Sequence, residues 1–359
     1  MKPPTLTGAG SDTVRALFWG LLVAAVLVAA IYFGSRGLKD FDPALVPYAG
    51  AAVFSAFGLG YRYTMWLRRP PTRLYWRRGW QLFLSPRRLP HNLWRLVRLF
   101  RDNVVTQKFI RRRSLLRWGA HQLIFWGCIL AALVTFPLSF GWIRFETARD
   151  SQQVYEAFVF GMPAGAFRLD GILAPLAFYV LDISAVLVLG GIGLALWRRA
   201  RNREALALQQ MPNDLLPLIL LFTICTTGIA LTVSSTFLRG FHYVFLSQFH
   251  AVTVVFALLY LPFGKFFHIF QRPAQLGVAF YKEAGAAGPQ ACCARCGQEF
   301  ASRLHVDDLK AVEAALGVDY RMPDGGHYQD ICPPCRRKNL ALLQGALWQA
   351  AGRAAPPGG

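Results

Sequence analysis

An all-α polytopic membrane protein, a six-transmembrane-helix bundle with a small cytoplasmic metal-binding cysteine tail, is the fold class that the sequence predicts. Three observations predict it. Of 359 residues, 54% are hydrophobic and only 16% charged, well short of the roughly one quarter charged in a soluble domain. Six apolar stretches, 13–34, 46–66, 119–141, 171–197, 215–238 and 248–271, each reach the ~20 residues that cross a bilayer core as helix. The net charge of +20 sits largely in the connections between them.

The first stretch outruns the ~7–15-residue apolar core of a secretory signal and lacks a clear cleavage site, so it reads as a retained helix. Residues 1–66 therefore hold two N-terminal spans. Residues 67–118 form a basic loop with 15 Lys/Arg against the single acid Asp102, and 198–214 adds four Arg. The alternate loops, 35–44, 142–170 and 239–247, share only six Lys/Arg. Such asymmetry places the basic loops, and with six spans both termini, in the cytoplasm. Within the long loop, "LPHNLWRLVRLFRDNVVTQKFI" spaces Leu93, Leu96, Val97, Phe100 and Val104 at helical intervals, with Arg95, Arg98 and Arg101 off that stripe. This predicts an amphipathic helix lying on the inner membrane surface, against anionic lipids, or under a partner protein. No nucleic acid is expected as a partner, because the arginines flank helices that enter lipid.

Residues 119–275 are expected to form a four-helix membrane core, and its histidines carry the chemistry. Of seven histidines, His91, His305 and His327 lie outside the spans and His242 in a connecting loop. His121 opens the third span in "RWGAHQLIFWG", and His250 and His268 bracket "HAVTVVFALLYLPFGKFFHIF". A polar ring in hydrocarbon is costly and is a functional candidate by default. If 248–271 is one helix, the 18 residues from His250 to His268 make five turns, putting both rings on one face roughly 27 Å apart. That spacing predicts two sites, one in each leaflet. His121 and His268 fall at the same, cytoplasmic depth on different helices, which is what bis-histidine haem ligation requires. Arg117 and Lys265 stand close by in sequence to pair with propionates, and Gly127 and Gly264 would let a flat macrocycle approach the backbone. The alternative is a histidine that simply hydrogen-bonds a neighbouring helix. Asp182, in "YVLDISAVL", is the one carboxylate well inside a span. It is placed to accept a quinol proton or hold a quinone headgroup, or to hydrogen-bond the Thr/Ser-rich fifth span. Cys128 and Cys225 read as packing residues.

Residues 282–350 are expected to form a zinc-ribbon-like domain, with 351–359 disordered. Two Cys-x-x-Cys pairs, Cys293/Cys296 and Cys332/Cys335, stand 35 residues apart. Two such knuckles make a tetrahedral four-cysteine site, and a reducing cytoplasm disfavours disulfides. Zinc is the first choice of metal and a single iron the alternative. Cys292, beside the first knuckle, leaves that ligand uncertain by one residue. "HVDDLKAVEAALG" and "NLALLQGALWQAA" read as helices beside the site.

The segments "RWGAHQLIFWG" and "HAVTVVFALLYLPFGKFFHIFQRP" resemble the cytochrome b subunits of respiratory nitrate reductases, the gamma-subunit family, over roughly residues 90–275. That family includes membrane subunits of heterodisulfide-reductase and sulfite-reduction complexes. The resemblance implies a five-helix quinol oxidase with proximal and distal b haems, to which the first span is an addition. It implies His121 and His268 as proximal ligands and His250 as one distal ligand. The second distal ligand should lie about ten residues beyond His121, where this chain has Ala131, so one haem b is expected and a second is left open. It further implies a bacterial or archaeal inner (plasma) membrane, cytoplasmic iron–sulfur and molybdopterin-type subunits, and the membrane quinone pool as electron donor.

Two functions follow. The chain is either the membrane anchor of a respiratory oxidoreductase, passing electrons from quinol through haem to a cytoplasmic partner, or a transporter or signalling protein with a zinc-ribbon tail. It has no catalytic constellation of its own for a terminal substrate.

Overall fold

The structure, a computed structural model, describes residues 7–201, 210–322 and 325–354. It is mostly helical, and six helices are long and apolar enough to cross a membrane, which suggests a multi-pass membrane protein. Those helices are α1 (Thr7–Gly34) and α2 (Val46–Arg68), then α5 (Leu115–Ser139), α6 (Leu173–Arg201), α7 (Leu216–Phe237) and α8 (Tyr243–Tyr260). Between them lie α3 (Pro70–Phe83) and α4 (Leu89–Phe100). After them come α9 (His268–Ala274), α10 (Gly277–Ala287), α11 (Arg303–Ala315) and α12 (Pro333–Ala354). The described residues divide into two compact units, one within 11–65 and 98–273, the other within 7–10, 66–97 and 274–354.

In the first unit the apolar helices meet at small residues. Gly60 lies against Gly20, so that a Cβ there would stand 3.1 Å from the Gly20 Cα; α1 and α2 touch backbone to backbone. The α2 helix then reaches α8 through a hydrogen bond from Ser55 to the Leu258 carbonyl. Contacts continue from α8 to α7 at His250 and Thr227, and from α7 to α6 in a core of Cys225, Ala185, Val188 and Ile192. Gly127 of α5 and Gly191 of α6 close the next pair: a Cβ on either would fall 2.6–2.7 Å from side-chain or carbonyl atoms of the other helix. Phe136 and Phe140 of α5 return to Ala52 of α2. Five helices thus form a closed ring of contacts, with α1 packed on α2 outside it. Cys128 packs against the Cys225 core, the packing role expected for both thiols.

Three features differ from the sequence expectation. The sixth span ends at Tyr260, and the chain turns at buried Pro262 before starting a separate short helix at His268. The fixed φ of Pro262 and its missing N–H explain the break. One continuous helix over 248–271 is therefore corrected, and with it the five-turn alignment of His250 and His268. Second, residues 142–170 are not a loop but a three-stranded antiparallel sheet, β1 (Ile143–Thr147), β2 (Val154–Val159) and β3 (Met162–Arg168). Its β2–β3 turn has Phe160 at φ 50° and Gly161 at φ 77°, the doubly positive pair of a type I′ hairpin. The protein is mostly, rather than wholly, helical. Third, helix α12 runs on to Ala354, where a disordered end from 351 was expected; residues 355–359 of that segment lie outside the described residues.

The second unit joins parts that the sequence reading kept separate. Helix α3, from the basic loop, packs on α10 and α11 of the tail. The crossing is close because Gly79 meets Gly277, where a Cβ on Gly79 would lie 3.2 Å from the Gly277 Cα. Arg78 pairs with buried Asp308 at 3.0 Å, and Tyr281 donates to the same carboxylate at 2.9 Å. Strands β4 (Gln290–Cys292) and β5 (Glu299–Ser302) form a two-stranded antiparallel ribbon carrying the first cysteine knuckle.

Candidate functional site

The best-formed constellation is in the tail. Cys293 and Cys296 sit on the β4–β5 turn, where Gly297 takes φ 74°. Cys332 precedes α12 and Cys335 falls in its first turn. The four Sγ atoms all lie within 4.8 Å of one another, and Cys296 Sγ to Cys332 Sγ is 3.7 Å. Tetrahedral thiolates around an ion at about 2.3 Å stand about 3.8 Å apart, so this group could hold a metal ion. Exposed Cys292 is outside the group, which removes the one-residue uncertainty in favour of Cys293.

Backbone donors complete the cage. Cys332 N and Arg295 N donate to Cys293 Sγ at 3.2 and 3.4 Å. Burial opposes ionisation of Cys293, but the N–H groups of Cys332, Cys296 and Arg295 outweigh it and pull the thiol down to about 6. Cys335 is pushed up to about 12, first by its hydrogen bond with Cys332 and then by burial. Cys293 is thus favoured as thiolate, while Cys296 and Cys335 are pushed toward the protonated form. Ile331 and Phe300 pack on the cysteines, and Lys310 ties Asp330 from α11 at 2.7 Å. The helix expected over 305–317 is present up to Ala315 in α11, and that over 339–351 lies within α12.

The histidines form a second, less complete arrangement. His121, in the second turn of α5, and His268, the first residue of α9, lie within electrostatic reach of each other, and Arg272 faces both. His268 Nδ1 contacts the Lys265 carbonyl at 2.5 Å. A carbonyl can only accept, so that nitrogen carries the proton and Nε2 is left with its lone pair open, as in metal-binding histidines. His121 Nδ1 is buried with no hydrogen-bond partner among the described residues. A buried imidazole nitrogen without a partner is costly, and an axial bond to a metal would remove that cost. Each of these two rings thus has a nitrogen that could bind a metal.

Other candidates are placed differently. Lys265 is bound to Asp214 at 2.6 Å, so its charge is already matched. Arg117 is exposed and has Arg198 as its charged neighbour. His250 Nδ1 is 2.8 Å from Thr227 Oγ1, whose own proton goes to the Thr223 carbonyl at 2.7 Å; the imidazole is the donor, tying α8 to α7. Ala131 lines an apolar cavity of about 130 Å³ with Tyr48, Val254 and Leu258, below the ~300–1,000 Å³ of ordinary ligand pockets. Gly127 admits the backbone of α6, and the space beside Gly264 is filled by Tyr260; neither glycine leaves room for a macrocycle. Asp182 is half-buried and, among the described residues, makes no hydrogen bond or ion pair, including none to the fifth span.

Sequence reasoning did not find Arg62, Asp214, Thr227 or Arg272. Each acts across helices, and only the expense of Arg62 inside an apolar span was a signal. No family model, no curated protein and no solved structure matches the chain.

Proposed function

We propose that the chain is the membrane-anchoring cytochrome b subunit of a respiratory oxidoreductase, carrying electrons from quinol to a cytoplasmic iron–sulfur or molybdenum partner in the manner of nitrate reductases. One observation supports it above the others. His121 and His268, from different helices, approach each other with an imidazole nitrogen open on each ring.

Haem, when bound, supplies the one-electron couple; the chain supplies binding, orientation and a low-dielectric sheath. His121 and His268 would hold the haem, and the Lys265 carbonyl fixes the tautomer of His268. Arg117, Arg198 and Arg272 would provide cations for propionates, whereas the charge of Lys265 is already taken by Asp214. Asp182, an unpaired carboxylate in an apolar helix, is the acceptor for a quinol proton. Thr227 engages only Nδ1 of His250, as the Lys265 carbonyl engages only Nδ1 of His268, so a second haem stays open. The four-cysteine group takes zinc and works structurally, supplying folding energy that a small tail otherwise lacks. The protein resides in a bacterial or archaeal inner membrane with both termini in the cytoplasm, following the basic loops.

The test is a reduced-minus-oxidised spectrum of the full chain produced with haem available. A b-type α-band that disappears in His121→Ala and His268→Ala, and survives in His91→Ala, is expected. A colourless protein that is folded and membrane-inserted overturns the reading and favours a transporter or signalling protein with a zinc-ribbon tail.

A further inference from the structure

Helix α4 is amphipathic in an inverted sense. Taken at 100° per residue, Leu93, Leu96, Val97 and Phe100 fall on one side, and His91, Asn92, Arg95 and Arg98 on the other. On the polar side Asn92 and Arg95 are docked onto the protein, while His91 and Arg98 are exposed. Buried Asn92 donates from Nδ2 to the carbonyls of Leu82 and Phe83 at 3.0 and 2.9 Å, capping the end of α3. Arg95 pairs with Glu283 of α10 at 2.8 Å. Most of the apolar side is turned outward: Leu93 is 50%, Val97 60% and Phe100 46% exposed, with Leu96 half-buried, and Trp94 at its border is 63% exposed.

Facing water, such a row forfeits the burial that would justify it, at about 25 cal/mol per Å². Something apolar covers it, and two facts bear on what. The segment 67–118 has 15 Lys/Arg and one acid, so an occupant carrying negative charge is favoured. The same segment begins at the end of α2 and ends at the start of α5, both long and apolar enough to cross a membrane, so a bilayer surface is tethered to it at both ends. Aromatic and aliphatic side chains bordered by arginines suit the headgroup–acyl boundary.

We propose that α4 lies in the plane of the membrane with Leu93, Trp94, Val97 and Phe100 inserted at the level of the acyl-chain boundary of an anionic leaflet. This is independent of whether the histidines hold haem.

The experiment places the photoreactive p-benzoyl-phenylalanine at Val97, or at His91 on the opposite side, in the full chain. The protein is reconstituted in nanodiscs of phosphatidylcholine with or without 30% (a chosen composition, about 1 in 3) phosphatidylglycerol, so that charge is tested near the usual anionic fraction. Lipid adducts, read by mass spectrometry, are expected several-fold more often from position 97 than from 91, with yield rising when phosphatidylglycerol is present. Equal lipid adducts at both positions, adducts only within the protein, or adducts only to a co-purified protein overturn it.

Discussion

The guanidinium of Arg62 lies 4.3 Å from the centre of the Phe267 ring. The same side chain donates to the carbonyls of Pro262 and Gly264. An arginine from α2 thus satisfies the carbonyls freed where α8 stops, and holds the turn from which His268 projects. A charge is tolerated in an apolar helix because every part of this contact consumes it.

Arg62→Met removes both the charged hydrogen bonds and the cation–π contact, together worth about 2 kcal/mol. The expected outcome is a lower unfolding midpoint for the detergent-solubilised protein. Arg62→Lys recovers only part of the loss, because an ammonium lacks the planar fork. A midpoint unchanged in Arg62→Met would contradict this role.

Ligand identity in the tail is checked by metal content. Cys293→Ser, Cys296→Ser, Cys332→Ser and Cys335→Ser each lose stoichiometric metal, since the four Sγ atoms form one group. Cys292→Ser keeps about one ion per chain, as expected of a thiol outside a four-cysteine site. Elemental analysis of the purified variants decides it.

The same site carries a pH dependence of known sign. Cys293, pulled down to about 6, is a thiolate above that value and is protonated below it. Protons compete with metal for each of the four thiols, so metal retention weakens as pH falls. Cys296, raised mainly by Cys293 despite the Gln298 N–H, and Cys335, at about 12, each surrender a proton when metal binds. Calorimetry in buffers of different ionisation enthalpy measures that release; uptake with no proton release at pH 7 would refute the assignment.

Asp308 joins α3 to the tail through Arg78 and Tyr281. Burial, and then the adjacent carboxylate, push the Tyr281 hydroxyl up, so it remains a donor at any physiological pH. Asp308→Ala strips both partners and is expected to cost about 1–3 kcal/mol, less than a fully buried pair because Arg78 is 44% exposed. Hydrogen exchange should quicken in 70–83 and 277–287 together. Quickening in only one segment would mean the link is not shared.

Steric contact between α5 and α6 gives a paired test. A Cβ at Gly191 would stand 2.7 Å from the Ala120 carbonyl oxygen, whereas Gly193 on the same helix has nothing within 4 Å. Gly191→Leu is therefore expected to destabilise by about 3 kcal/mol and Gly193→Leu to be tolerated. Comparable unfolding midpoints for the two variants would mean the helices do not meet here.

The six long apolar helices, the amphipathic character of α4 and the grouping of four cysteines were legible in the chain, because each rests on a local pattern: run length, angular spacing, or paired short loops that bring thiolates together. Whether Cys292 or Cys293 is the ligand was not, since both fit the local turn and only the closing of Cys332 against Cys293 chooses between them. The β1–β3 sheet escaped notice because its strands are short and one is interrupted by a bulge at Ala157/Phe158.

What the sequence by itself determined is how much of the chain is apolar enough to lie in a bilayer, which connections are basic, and which thiols and imidazoles are candidates to act together. The tertiary structure decided that α8 ends before His268, that Arg62 braces the turn, that Thr227 occupies His250, and that α3 and α4 belong with the cysteine tail. The physical reason is range. Hydropathy and helical spacing act over a few turns, whereas a break in a helix, a satisfied imidazole or a docked polar face depends on which distant group arrives to take the free hydrogen bond.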